Sequence, residues 1–144
     1  MPGIVVGVDG STGSHKALEW AAREAGAHHA PLTVLTVNPV AISQWTGTPI
    51  SYPAADQPQE AEAQQAAQVA ATKVTSELGD GQPTSVSVRA VSGSVAQELL
   101  NASHDADLLV VGSRGGGGFA SLRLGSVSTQ VVGHASCPVV VVPS

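Results

Sequence analysis

Cysteine occurs once in these 144 residues, as Cys137. No internal disulfide can form, so the chain must be held by its core. Aromatic residues make up only 3%. The core is therefore aliphatic, and helices of small residues can pack close to a sheet. No apolar run approaches the ~20 residues needed to cross a bilayer, and nothing resembles a cleavable leader. These absences lead us to expect a soluble cytoplasmic protein with no membrane contact. Basic residues are scarce as well: six Lys and Arg against eleven Asp and Glu, a net charge of −5. That balance argues against a nucleic-acid partner. Lysine is confined to Lys16 and Lys73, and the phosphate loop GxxxxGK[ST] is absent. Acid is missing altogether from Leu108 to Ser144.

The residues present alternate between strand and helix signals. Ile4-Val5-Val6-Gly7-Val8-Asp9 is a short apolar run of the kind that is buried on both faces of a parallel sheet. Gly10-Ser11-Thr12-Gly13-Ser14 is rich in helix-capping residues. Ala17, Leu18, Ala21, Ala22 and Ala25 then repeat at helical spacing, with Gly26 expected to stop the helix. Leu32 to Val37 forms a second strand, broken by Asn38-Pro39.

Residues 38 to 57 lack periodicity and hold Trp45 and Tyr52. We read them as a surface loop, the alternative being a lid or a docking patch. Ala63, Ala66, Ala67, Ala70, Val74 and Leu78 form a stripe, read as a core face. Val86, Val88 and Ala90 alternate with polar residues, as in an edge strand. Ser94-Val95-Ala96-Gln97 resembles a capping box before a helix carrying Leu99 and Leu100. Asp107 to Gly112 is a fourth strand and Pro138 to Val142 a fifth, with a helix from about Val127 to Gly133 between them. The pattern is that of an α/β protein, a doubly wound parallel sheet with helices on both faces, in a single domain over residues 1–144. Ligands of such sheets bind at the carboxyl ends of the strands, where the winding reverses. Asp9 and Gly112 would share that crevice if the first and fourth strands are neighbours.

The stretch Val111-Gly112-Ser113-Arg114-Gly115-Gly116-Gly117-Gly118 leads from the fourth strand toward Gly125-Ser126. Glycine lacks a Cβ, so main-chain N–H groups can approach an oxyanion closely. A helix opening at Gly125-Ser126 adds free N–H groups and a favourable dipole. Arg114 and Arg123 flank the loop as candidate phosphate-screening charges, or as ordinary surface residues. A flexible linker is the competing explanation, but strong strand and helix signals lie on both sides of the stretch. A relaxed dinucleotide fingerprint at Gly115, Gly117 and Ala120 carries little weight, because it is not in the first strand-to-helix turn. Cys137 reads as a small core residue, and His15 and His134 as surface or capping groups.

Gly112-Ser113-Arg114-Gly115, then nine residues, then Gly125-Ser126, matches the G-x2-G-x9-G-[ST] signature of ATP-binding universal stress proteins. The first strand with Asp9-Gly10-Ser11 and the ending Ser136-Cys137-Pro138-Val139-Val140-Val141-Val142 also resemble that family. The resemblance implies a five-stranded, adenine nucleotide alpha hydrolase-like sheet of order 3-2-1-4-5. It implies that Gly7, Val8 and Asp9, with Val37, lodge the adenosine of ATP or a related adenine nucleotide. Val111, Gly112, Ser113, Arg114 and Gly115 would line the ribose and phosphates, while Gly125, Ser126, Val127 and Ser128 would hold the phosphates. Magnesium would accompany the nucleotide, with Asp9 reaching it through water and no other protein side chain as a ligand. A homodimer through Val139, Val140, Val141 and Val142 is implied too. No catalytic residue stands out, so the expected role is a nucleotide-sensing regulator of stress response. A slow ATPase, or a partner-binding module with an empty site, are the alternatives.

Overall fold

The computed structural model describes residues 3–10, 12–39, 57–113 and 126–143. Among them, five strands form one sheet: β1 (Ile4–Val8), β2 (Leu32–Pro39), β3 (Val86–Gly93), β4 (Leu108–Gly112) and β5 (Val139–Val142). The order is β3-β2-β1-β4-β5 and every pairing is parallel. The helices are α1 (Thr12–Ala27), α2 (Gln57–Ser76), α3 (Val95–Ser103) and α4 (Ser126–His134). The fold and strand order expected from the sequence are thus observed.

Strand periodicity divides the core in two. Ile4, Val6, Leu32, Val34 and Val110 point to one face and pack on Ala17, Leu18, Ala21 and Ala22 of α1 and on Ala67, Ala71 and Val74 of α2. Val5, Leu35, Leu109 and Val111 point to the other and meet Leu99 of α3 and Val131 of α4. Burying a Leu or Val side chain contributes about 1.5–3 kcal/mol. The alanines contribute less area each, but they let α1 lie close to the sheet. β3 alternates between half-buried and exposed residues from Val86 to Ala90, as its edge position requires, and Val91 then packs against the second cluster. β5 is half-buried at all four positions, at the opposite edge.

Three local expectations are corrected. Gly26 does not stop α1; it lies inside the helix and is buried. A Cβ there would fall 1.7 Å from the Gly81 carbonyl oxygen, so the glycine admits the Gly79–Gly81 turn against α1. The chain reverses instead around His29, at φ 53°. The second correction is to the α2 stripe: Ala71 is fully buried, whereas Ala66 is exposed and Ala63 only half-buried. α2 follows the carboxyl end of β2, and Ala63 and Ala66 of its early turns border a cleft there. Thirdly, only half of a capping box forms. Ser94 Oγ accepts from Gln97 N at 3.4 Å, but the Gln97 side chain donates to Asn101 Oδ1 at 3.0 Å.

Gly26→Ala gains up to ~1 kcal/mol of helix propensity. The contact with a main-chain oxygen cannot be relieved by a rotamer and outweighs this. We expect a net loss of about 1–3 kcal/mol in urea unfolding, and an unchanged or raised midpoint would refute the close approach.

Candidate functional site

The winding reverses between β1 and β4. β1 leads to β2 and β3 on one side, and β4 leads to β5 on the other. The β1–β4 ladder runs from Ile4↔Leu108 to Val6↔Val110, and beyond it β1 and β4 make no further ladder pairs. Asp9 follows the last residue of β1 and is exposed there, with its N–H donating to Ser14 Oγ at 3.2 Å. Gly10 takes φ 84°, a left-handed turn that leads into α1.

Gly112 ends β4 against the start of α1. A Cβ on it would lie 3.1 Å from the Gly13 carbonyl carbon and oxygen. Only a bare Cα fits without pushing that turn away. From the other side Ser128, 4% exposed, donates its hydroxyl to the Gly112 carbonyl at 2.8 Å. The same oxygen lies 3.4 Å from the Ser113 carbonyl. This hydroxyl acts as a tie between α4 and β4, whereas the sequence suggested a group facing the ligand. The first turns of α1 and α4 carry no acid. Their leading N–H groups have no intrahelical partners, and each dipole favours an anion.

The other expected residues divide by the face they occupy. Val8 packs on the first core cluster and also borders a cleft described below. Gly7 faces α3, where a Cβ would meet Leu99 Cδ2 at 2.8 Å, so its bareness serves helix packing. Val37, Val111 and Val127 send their side chains into the second cluster, leaving only main chain for a ligand. β2 runs past its last pair with β1, Val8↔Thr36, as far as Pro39. Its edge on the β1 side from Val37 onward therefore has no strand partner. Arg114, Gly115 and Gly125 lie outside the described residues, as do Arg123 and residues 40–56.

A cleft of about 350 Å³ adjoins Asp9 between α1 and α2. Leu18 and Ser14 of α1 form one wall, with His15 at the rim beside Glu19, Nε2 to Oε1 3.0 Å. Ala63, Ala66, Ala67 and Ala70 of α2 form the other wall, and Thr36 of β2 lines its depth. The sequence reading missed both the cleft and Thr36. A signal existed: Thr36 interrupts the apolar face begun by Leu32 and Val34. Among the described residues no cluster of three His, Cys, Asp or Glu could hold a metal ion. Cys137 is half-buried and donates its thiol to the Pro138 carbonyl at 3.4 Å. Burial pushes its pKa up, leaving a protonated thiol rather than a nucleophile near neutral pH.

Comparison with known proteins bears on the family and the fold. Residues 2–143 match the model of the universal stress protein family. The chain belongs to that family. A universal stress protein of Mycolicibacterium smegmatis is 40% identical over 140 residues, which span 97% of this chain and 47% of that one. The chain thus covers about half the length of the curated relatives it matches. UspA of Lactobacillus plantarum superposes with a TM-score of 0.76 at 23% identity, covering 98% of this chain and 97% of that one. A universal stress protein solved in complex with cAMP gives 0.67 at 27% identity, over 99% and 96%. Among the described residues no helix of this family member is long and apolar enough to cross a membrane.

Ser128→Ala leaves the Gly112 carbonyl without its donor and frees the start of α4. We expect a loss of about 1–2 kcal/mol in denaturant unfolding with an unchanged m-value. No loss would mean that the tie contributes nothing.

Proposed function

We propose that this universal stress protein domain binds ATP or a related adenine nucleotide at the carboxyl edge of its sheet and signals occupancy to a partner or a second copy. The observation that carries the reading is the convergence of Asp9, Gly112 and the start of α4 at the point where the winding reverses. The complex of a family relative with cAMP supports an adenine nucleotide as the ligand class. Adenosine lies by Asp9 and the unpartnered main-chain edge at Val37. The phosphates meet the N–H groups of Ser126, Val127 and Ser128, with Gly115 and Gly125 of the sequence signature completing the cradle. Arg114 offsets their charge.

Asp9 is the one carboxylate placed to meet the nucleotide's magnesium, which keeps most of its own waters and is held through them. The apolar, half-buried β5 edge is the surface for a homodimer through Val139 to Val142. Binding changes the populations of states only so far as the nucleotide favours one of them, and ordering of a phosphate loop is one such preference.

Titration calorimetry on nucleotide-free protein tests the reading. ATP with magnesium should release heat and bind in the micromolar range, and Gly115→Val should weaken it by about tenfold or more, since bulk there obstructs approach to the phosphate. The folded domain should survive that change. Absence of any heat in the native protein, or unchanged affinity in the variant, would count against the site.

A further inference from the structure

We propose that Lys16 meets the phosphate chain of the nucleotide and sets a preference for polyphosphorylated ligands over the bare nucleoside. This rests on the adenine-nucleotide reading above. A line from Asp9 to the start of α4 crosses the end of β4, where Gly112 is seated on Gly13. Lys16 is three residues beyond Gly13, a neighbour on the helix surface. His15 and Leu18 line the cleft toward α2, whereas Lys16 does not. It therefore occupies the other flank of α1, the flank that runs along β4 and β5. Helical side chains tilt toward the helix N-terminus. In α1 that direction leads back to the carboxyl edge of the sheet, since the helix begins just after β1. Lys16 is exposed, so its stem is free to take that course.

The charges around it single it out. The other Lys and Arg among the described residues are engaged or distant. Arg23 lies 4.0 Å from Glu19, Lys73 is in the last turn of α2, and Arg89 is in mid-strand on β3, opposite Leu35. Glu19 is the acid nearest to Lys16 along α1, and it is already held by His15 at 3.0 Å. Among the described residues Lys16 takes part in no ion pair. The first turn of α1 has no acid, and a lysine follows it directly. That is the reverse of what a helix dipole favours, unless an anion sits at the helix start. An ammonium on a flexible stem, with three donors, suits a phosphate as a point charge. Its position beside Gly112 gives the polyphosphate a counter-charge from the α1 side, opposite the start of α4.

Calorimetry on the nucleotide-free chain at low ionic strength tests this, with ATP–magnesium, inorganic triphosphate–magnesium and adenosine as probes. Lys16→Gln should weaken ATP and triphosphate alike by about threefold to fivefold, and the loss should shrink as salt is raised. Adenosine affinity and Tm should stay native. Lys16→Arg should keep most of the ATP affinity. Lys73→Gln removes the same charge from the far end of α2 and should change none of the three. Native-like ATP affinity in Lys16→Gln overturns the proposal and leaves the nucleotide reading standing. An equal loss in Lys73→Gln also overturns it, because net charge alone would then be at work. So does an equal loss for adenosine, which would make the lysine structural. If the native chain binds none of the probes, the nucleotide reading fails and takes the role of Lys16 with it.

Discussion

The seat of β4 on the first turn of α1 is the contact on which the site depends. Gly112 meets the main chain of Gly13, where a Cβ would lie 3.1 Å from the carbonyl carbon and oxygen and would have to press that turn outward. Ser128 then fastens α4 to the same residue through its carbonyl. Three elements from distant parts of the sequence are thereby locked at one point. Two of them are helix starts, and neither carries acid in its first turn. Their partial positive ends are fixed in place by packing before anything binds, so little reorganisation is needed to receive an anion. A side chain at 112 would push the start of α1 away from β4 by a small amount.

Unequal strand lengths supply the second constraint. β1 stops opposite Thr36 while β2 continues to Pro39, paired on its far side to β3 as far as Gly93. The sheet therefore has a step at its carboxyl edge. α2 returns over β2 and β3, and its early turns stand beside α1 across a gap. A helix of large residues would fill the gap. This one carries Ala63, Ala66, Ala67 and Ala70 there, and the gap persists as a cleft. Buried Ala71 and Val74 of the later turns pack as ordinary core.

The sheet was legible in the sequence because strands buried on two faces read as unbroken Val, Ile and Leu, and because α1 repeats its alanines at helical spacing. The strand order was not in that pattern; it came from the spacing of Gly112, Gly115 and Gly125-Ser126 and the family this resembles. The neighbourhood of Asp9 and Gly112 followed from fold class and is observed. What escaped the sequence was the side on which a residue's usefulness falls. Gly7 looked like part of a binding turn, yet its missing Cβ accommodates Leu99. Gly26 looked like a helix stop, yet it accommodates the Gly81 carbonyl. Glycine identity signals close approach but does not name the neighbour, which is tertiary information. The α2 stripe misled for a related reason: periodicity reports which face is small and apolar, not whether a strand lies beneath it.

Thr36 shows how such an ambiguity is resolved by accounting for polar groups rather than by pattern. In the sequence it is one of two threonines in an apolar strand, and β-branched threonine is common in strands. Only burial separates them: Thr33 is half-exposed, whereas Thr36 is enclosed beside a cleft. Water satisfies the first directly, and the second only by entering the cleft that Thr36 lines. A phosphate held at the helix starts, as proposed above, would act through long-range charge and weaken with salt, whereas a contact made through Thr36 would depend on shape and change little.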